Sequence, residues 1–205
     1  MTAANRTVIG VDPGLTRCGI GVVVGPASQP RLIAHDCIRT SPDEPLERRL
    51  LLVHDALVAA IEEHQPRAVA VERVLFSNNV RTAMATGQAA GVALLAAARC
   101  DVEVASYSPT EVKLTVAGAG GADKDAVGRL VAAQLHLSEV PRPADVADAL
   151  AVALTHLARS RTATAAAATG ASDTLATARR EAAAGARGGW EAVLAARGYD
   201  PEGGR

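Results

Sequence analysis

Residues 8–23 read V-I-G-V-D-P-G-L-T-R-C-G-I-G-V-V, and the order of strand formers and breakers in them decides the fold. Residues 7–11 and 18–24 are apolar, largely β-branched runs of strand length, and Pro13, Gly14 and a short polar stretch separate them. The reading is strand, turn, strand, with one carboxylate, Asp12, where the first strand ends. Residues 26–30 make a second turn, bounded by Pro26 and Pro30, and residues 31–40 alternate as a third strand. Three strands joined by short turns predict an antiparallel meander.

Periodicity then changes. A helix is expected from about Pro42–Glu47 to His64, with Leu46, Leu50, Val53, Leu57 and Ile61 at helical spacing. Residues 67–72 (R-A-V-A-V-E) form a short buried strand that again ends in a carboxylate, Glu72. Residues 78–99 read as a long helix capped by Ser77, with Val80, Ala83, Met84, Gly87, Gly91, Leu94 and Leu95 on one face. A strand over 102–107, a short helix over 109–116 and a glycine-rich hinge over 117–122 follow. Helices over 123–137 and 143–159 end the domain. The pattern is α/β, a mixed five-stranded sheet flanked by helices.

The bulk composition limits what such a chain can do. Its 205 residues, 49% hydrophobic, suit one globular domain with an appendage; we place the domain at 1–158 and read 159–205, rich in Ala, Gly and Arg, as a disordered or weakly helical tail with a short helix at 190–197. The longest apolar run, 91–98, is far short of the ~20 residues a membrane span needs, and residues 1–7 hold no signal-peptide core. The expectation is a soluble cytoplasmic protein with no membrane association. Cys18, Cys37 and Cys100 are odd in number and lack metal-knuckle spacing, so they read as reduced core residues. Residues 1–158 carry 14 Lys+Arg against 17 Asp+Glu, and residues 159–205 carry 7 against 5. No acid lies between Glu72 and Asp101, where Arg73, Arg81 and Arg99 occur, so a local basic surface is compatible with the near-neutral total.

The acids carry the chemistry. If the strands ending in Asp12 and Glu72 are neighbours, both carboxylates project from one sheet edge. P-A-D-V-A-D-A-L adds Asp145 and Asp148, three apart on a helix and so on one face. Taken singly each has an ordinary reading: Asp12 as a turn former, Glu72 as a salt-bridged edge residue, Asp145 as a first-turn acid suited to the macrodipole. Asp148 is flanked by Val146, Ala147, Ala149 and Leu150, a setting in which an unpaired carboxylate is costly. Four converging acids repel unless cations neutralise them. Oxygen-only donors favour Mg²⁺ or Mn²⁺ over zinc, and paired ions about 3.5–4 Å apart hydrolyse phosphodiesters by activating a water and stabilising the leaving oxygen.

At these residues the chain resembles a known family. V-I-G-V-D-P-G-L-T-R-C-G-I-G-V-V, A-V-E-R-V-L-F-S-N-N-V, G-Q-A-A-G-V-A-L-L-A-A-A, S-P-T-E-V-K-L-T-V-A-G and P-A-D-V-A-D-A-L-A-V-A-L-T-H, in that order over residues 7–158, are similar to the RuvC crossover junction endodeoxyribonucleases. The resemblance implies a ribonuclease H-like fold and a homodimer. It implies Mg²⁺, two ions per active site with Mn²⁺ as a substitute, and symmetric paired nicks in four-way junction DNA during homologous recombination and repair. It also implies work with the RuvA and RuvB branch-migration proteins. The family's catalytic, metal-holding acids fall on Asp12, Glu72, Asp145 and Asp148, with Asp12 expected to bridge both ions.

The same resemblance places DNA contacts at Lys113 and Lys124, the only lysines in the chain; Arg73, Arg81 and Arg17 are weaker candidates, and an ordinary solvated side chain is the alternative for each. The family usually carries a base-stacking aromatic after its catalytic Glu, whereas this chain reads Val74, Leu75, Phe76. Phe76, the single Phe, either takes that role one position later or packs. His156 reads as a packing or helix-surface residue. Rival functions are a non-catalytic junction-binding protein, a ribonuclease H-like nuclease of another nucleic acid, and an actin-like phosphate-binding ATPase, whose required second domain this chain has no room for.

Overall fold

The computed structural model describes residues 6–73 and 80–167, with side chains as far as 160. Ser77 and Phe76 lie outside the described residues, as do Asn78 and the tail beyond 167 with its expected helix at 190–197. The chain divides into two compact units, Met1–Thr162 and Ala163–Arg205.

The first unit opens with the expected meander: β1 (Val8–Asp12), β2 (Arg17–Val24) and β3 (Arg31–Arg39), each antiparallel to the next. α1 (Leu46–His64) then leads to β4 (Ala68–Glu72), parallel to β1, and α2 (Val80–Arg99) to β5 (Glu103–Tyr107), parallel to β4. α3 (Pro109–Ala117), α4 (Lys124–Gln134) and α5 (Ala144–Ala167) complete it. The sheet order is β3-β2-β1-β4-β5, the mixed five-stranded arrangement anticipated.

Two apolar cores flank the sheet. One joins Ile9, Val11, Ile20, Val22, Val69 and Val71 to Val53, Leu57 and Ile61 of α1 and Ala93, Ala96 and Ala97 of α2. The other joins Val8, Val23 and Ala70 to Val112 and Val116 of α3, Val127 and Val131 of α4, and Val146, Leu150 and Leu154 of α5. Alternate residues of each strand feed opposite layers, as a pleated sheet covered on both faces requires. Cys18 is buried, Cys37 and Cys100 partly so, and all three are free thiols.

Two readings are corrected. α4 stops at Gln134, not 137, because the chain turns into the left-handed region at His136 (φ 55°); Leu135 and Leu137 continue the apolar pattern but not the helix. α5 runs past Arg159 to Ala167. The α2 face expected from spacing is exposed: Val80, Met84 and Leu95 are more than half exposed, and among the described residues no atom would meet a Cβ added at Gly87 or Gly91. The residues α2 buries are Ala89, Ala93, Ala96 and Ala97.

Candidate active site

The registers draw one row across all five strands. Cys37 pairs with Gly19, Gly19 with Asp12, and Glu72 with Tyr107; Val11 pairs with Val71, which sets Glu72 beside Asp12. Ladder partners share a face of the sheet, so Asp12 and Glu72 leave adjacent parallel strands in the same direction.

That face lies under α5, and glycines let the helix come close. A Cβ at Gly10 would run into the Ala149 carbonyl oxygen, one at Gly19 into the Asp145 carbonyl oxygen, and one at Gly21 into the Leu150 side chain. The spacing G-x-G in β2 and the glycine of V-I-G-V-D therefore seat the first turns of α5 directly on β1 and β2. This contact delivers Asp145 and Asp148, whose side chains are 19% and 22% exposed, to the edge that Asp12 and Glu72 occupy.

The turn after Asp12 is braced. Thr40 Oγ1 donates to the Leu15 carbonyl (2.5 Å) and Thr40 N–H to that of Thr16 (3.1 Å). Arg49 of α1 donates from Nε to Thr40 Oγ1 (2.8 Å) and from Nη2 to Thr16 Oγ1 (2.9 Å).

Electrostatics show how near the acids are. Asp12 is pushed up to about 8 by burial first and then by the charges of Glu72, Asp148 and Asp145, against the opposing pull of Lys124. Glu72 is also raised, by burial and by Asp148, a rise opposed by its hydrogen bond with Asp12 and by Lys124 and Lys113. Without a metal the cationic partners are side chains: Lys124 Nζ stands 2.9 Å from Asp148 Oδ2, and Arg17 Nε 3.2 Å from Asp145 Oδ2. The second contact is an ion pair without hydrogen-bond alignment, so Asp145 Oδ2, shielded from solvent, accepts no hydrogen bond.

Among the described residues, no three His, Cys, Asp or Glu side chains are gathered tightly enough to hold a metal ion as they stand. The chemistry still fits a hard divalent cation. The donors are all carboxylate oxygens, one of them is buried and unsatisfied, and Asp12 is raised first by burial and then by the neighbouring acids, a repulsion that a bound cation would relieve.

The other anticipated residues are placed as follows. Lys113, on α3, is near enough to Glu72 to lower its proton affinity. Arg73 is held by Glu111, Nη2 to Oε2 at 2.6 Å. Arg81 is exposed in the first turn of α2. His156 is buried on α5, its Nδ1 3.0 Å from the Tyr107 hydroxyl, which is a packing role.

Glu111 went unread. It accepts from the backbone N–H of Ser108 (2.9 Å) first, then from Arg159 Nη1 (2.6 Å), the Ser108 hydroxyl (2.9 Å) and Arg73, and these bonds hold it well below the usual range, at about 2. The signal was available, since S-P-T-E spells the capping box found at the start of α3. Its two arginine contacts depend on tertiary structure and have no local signature.

Comparison with known proteins agrees with this geometry. The family profile described as Crossover junction endodeoxyribonuclease RuvC matches residues 8–156. Proteins of that description from Salinispora arenicola and Streptomyces griseus are 53% and 50% identical over 156 and 154 residues. The aligned stretch is 76% of this chain and 89% of the Salinispora protein, and 75% and 76% for the Streptomyces pair. Among solved structures, "T. thermophilus RuvC in complex with Holliday junction substrate" superposes with a TM-score of 0.75 at 40% identity, covering 78% of this chain and 97% of that one. The yeast mitochondrial Holliday junction resolvase Ydc2 shares the fold at 13% identity, with a TM-score of 0.54 over 74% and 79% of the two chains. The profile match over residues 8–156, spanning β1 to α5, and relatives about half identical over three-quarters of the chain lead to one assignment: the chain belongs to the RuvC family of crossover junction endodeoxyribonucleases.

Proposed function

We propose that this nuclease resolves Holliday junctions, nicking opposed strands of four-way DNA with Asp12, Glu72, Asp145 and Asp148 as its catalytic, metal-holding residues. The observation that supports the reading is the pairing of adjacent β1 and β4, which sets Asp12 beside Glu72, under a helix whose Asp145 backbone seats on Gly19, the ladder partner of Asp12. Mg²⁺ is the ion we assign, two per site, with Mn²⁺ as a substitute; when bound, such ions activate a water and stabilise the leaving oxygen. Asp12 and Glu72 hold their positions at the ends of parallel β1 and β4. Asp145 and Asp148 come from the helix seated on Gly10 and Gly19.

Lys124 and Lys113 supply the positive charge beside these acids. With Asp148 among the residues that would hold a metal, the Lys124 ammonium would be free to meet a backbone phosphate. Arg73 and Arg81 are assigned as further DNA contacts, and Phe76 is assigned the stacking role at the opened junction. Residues 1–158 are the nuclease domain in this reading. The uncovered apolar face of α2, with Val80, Met84 and Leu95, is the surface we assign to a homodimer. RuvA and RuvB are the expected partners, in the cytoplasm; no helix of the described residues is long and apolar enough to cross a membrane.

The test is cleavage of a labelled synthetic four-way junction in Mg²⁺ beside a linear duplex and an RNA–DNA hybrid, with Asp12→Asn as control. Paired nicks in the junction alone, absent in the variant, are expected. Junction binding without metal-dependent cutting would favour a scaffold protein, and cutting of the hybrid a different nuclease.

A further inference from the structure

Arg17 and Arg39 stand directly opposite one another where β2 begins and β3 ends. Both are exposed, and as ladder partners they leave the sheet on the same face. They lie two residues beyond Gly19 and Cys37, so this face is the one that carries Asp12 and Glu72. The Arg17 contact to Asp145 agrees with that placement.

Like charges directly opposite in an antiparallel pair are unfavourable, and little offsets them here. Among the described residues Arg39 forms no ion pair, and Arg17 has Asp145 alone, in a contact without hydrogen-bond alignment. Asp145 is also an acid that the proposed metal centre requires. When a cation takes it, both guanidinium groups are left without an anion.

The backbone beneath the pair is held rigid. Thr16 and Thr40, the neighbours of Arg17 and Arg39, are tied to each other and to Arg49 by the hydrogen bonds that brace the Asp12 turn. Two guanidinium forks are thus presented from a fixed platform on the β3 side of Asp12, Arg17 one inter-strand spacing, ~5 Å, and Arg39 two, ~10 Å, from the strand of Asp12. Arg73 follows β4, which lies on the other side of β1 from β2 and β3, while Lys113 of α3 acts on Glu72 at the end of β4 and Lys124 of α4 pairs with Asp148 of α5.

We propose that Arg17 and Arg39 form a second phosphate-binding pair, which grips the DNA backbone on the β3 side of the acids while the lysines hold it on the other. Planar guanidinium forks suit phosphate oxygens bidentately. Substrate so held would cross the catalytic edge between two cationic banks. The inference rests on the nuclease reading and assigns a site within it.

The experiment measures junction binding by full-length protein in Mg²⁺, from 50 to 300 mM salt, with Asp12→Asn as the uncut parent. Arg39→Gln is expected to weaken binding severalfold at about 0.1 M salt and to reduce the slope of log K against log salt by about 0.9, the value for one duplex phosphate contact. Arg39→Lys should keep the parent slope, and melting temperatures should match throughout. Arg31→Gln, at the opposite end of β3, should behave as the parent. Equal affinity and slope in Arg39→Gln and the parent would overturn the pair while leaving the nuclease reading intact. Failure of the parent to bind junctions would remove that reading, and the pair with it.

Discussion

Lys124, the first residue of α4, pairs with Asp148 of α5 at 2.9 Å, so among the described residues the one cation hydrogen-bonded to a member of the acidic group comes from a different helix. The pair balances charge when no metal is present, and the lysine is three-quarters exposed. Exposed pairs contribute ~1 kcal/mol or less to stability. Lys124→Ala should therefore move the melting temperature little, yet slow single-turnover junction cutting by roughly tenfold or more, a loss of about 1.4 kcal/mol of transition-state stabilisation. Equal rates in variant and wild type would remove Lys124 from the reaction.

Asp12 gives a pH signature opposite to that of an ordinary salt-bridged carboxylate. Its folded pKa, about 8, lies above the unfolded value of 3.8. The folded state thus holds the extra proton between those values, and stability falls as pH rises through the window. In chelator, the wild type should lose melting temperature from pH 5 to pH 9, and Asp12→Asn should flatten the loss. At pH 8 the variant should melt several degrees higher, since 1 kcal/mol shifts a domain of this size by about 2–4 °C. Parallel curves for the two proteins would show that Asp12 does not carry the strain.

Glu111 has the reverse sign. Its hydrogen bonds with Ser108, Arg159 and Arg73 take it from 4.5 to about 2, so the stability it contributes is complete above pH 4.5 and disappears as pH falls through 2. Glu111→Gln should melt below wild type at pH 7, and the gap should close between pH 4.5 and pH 2. A gap unchanged at pH 2 would mean that packing, not charge, holds the α3 start to Arg73 and Arg159.

The parts legible beforehand were those with local grammar. Asp12 and Glu72 announced themselves by ending apolar strand runs, and Asp145 and Asp148 by a spacing of three in an otherwise apolar helix. The meander followed from breakers at Pro13-Gly14 and Pro26. The α2 face with Val80, Met84 and Leu95 was legible from helical spacing, whereas the residues the helix packs on α1 and the sheet, Ala93, Ala96 and Ala97, were not, because hydropathy weights alanine lightly. The Arg17–Asp145 and Arg73–Glu111 pairs join positions 128 and 38 residues apart, a separation over which spacing carries no information.

The glycines under α5 offer the most direct test of how the fold builds the site. A methyl group at Gly19 would collide with the backbone carbonyl of Asp145, and backbone cannot swing aside as a flexible side chain can. The first turn of α5 must lift or shift along β2, carrying Asp145 away from Asp12. Overpacking of this kind typically costs about 1–3 kcal/mol, while a sub-ångström displacement of a catalytic group can cost far more in rate. Gly19→Ala should consequently remain folded, with a melting temperature lower by a few degrees, and lose junction cutting by about a hundredfold. Gly121→Ala, in open space at the α3–α4 turn, is the matched control and should melt and cut as wild type does. Near-normal cutting by Gly19→Ala would show that α5 can adapt without moving its acids, and that its close seating on β2 is not what positions them.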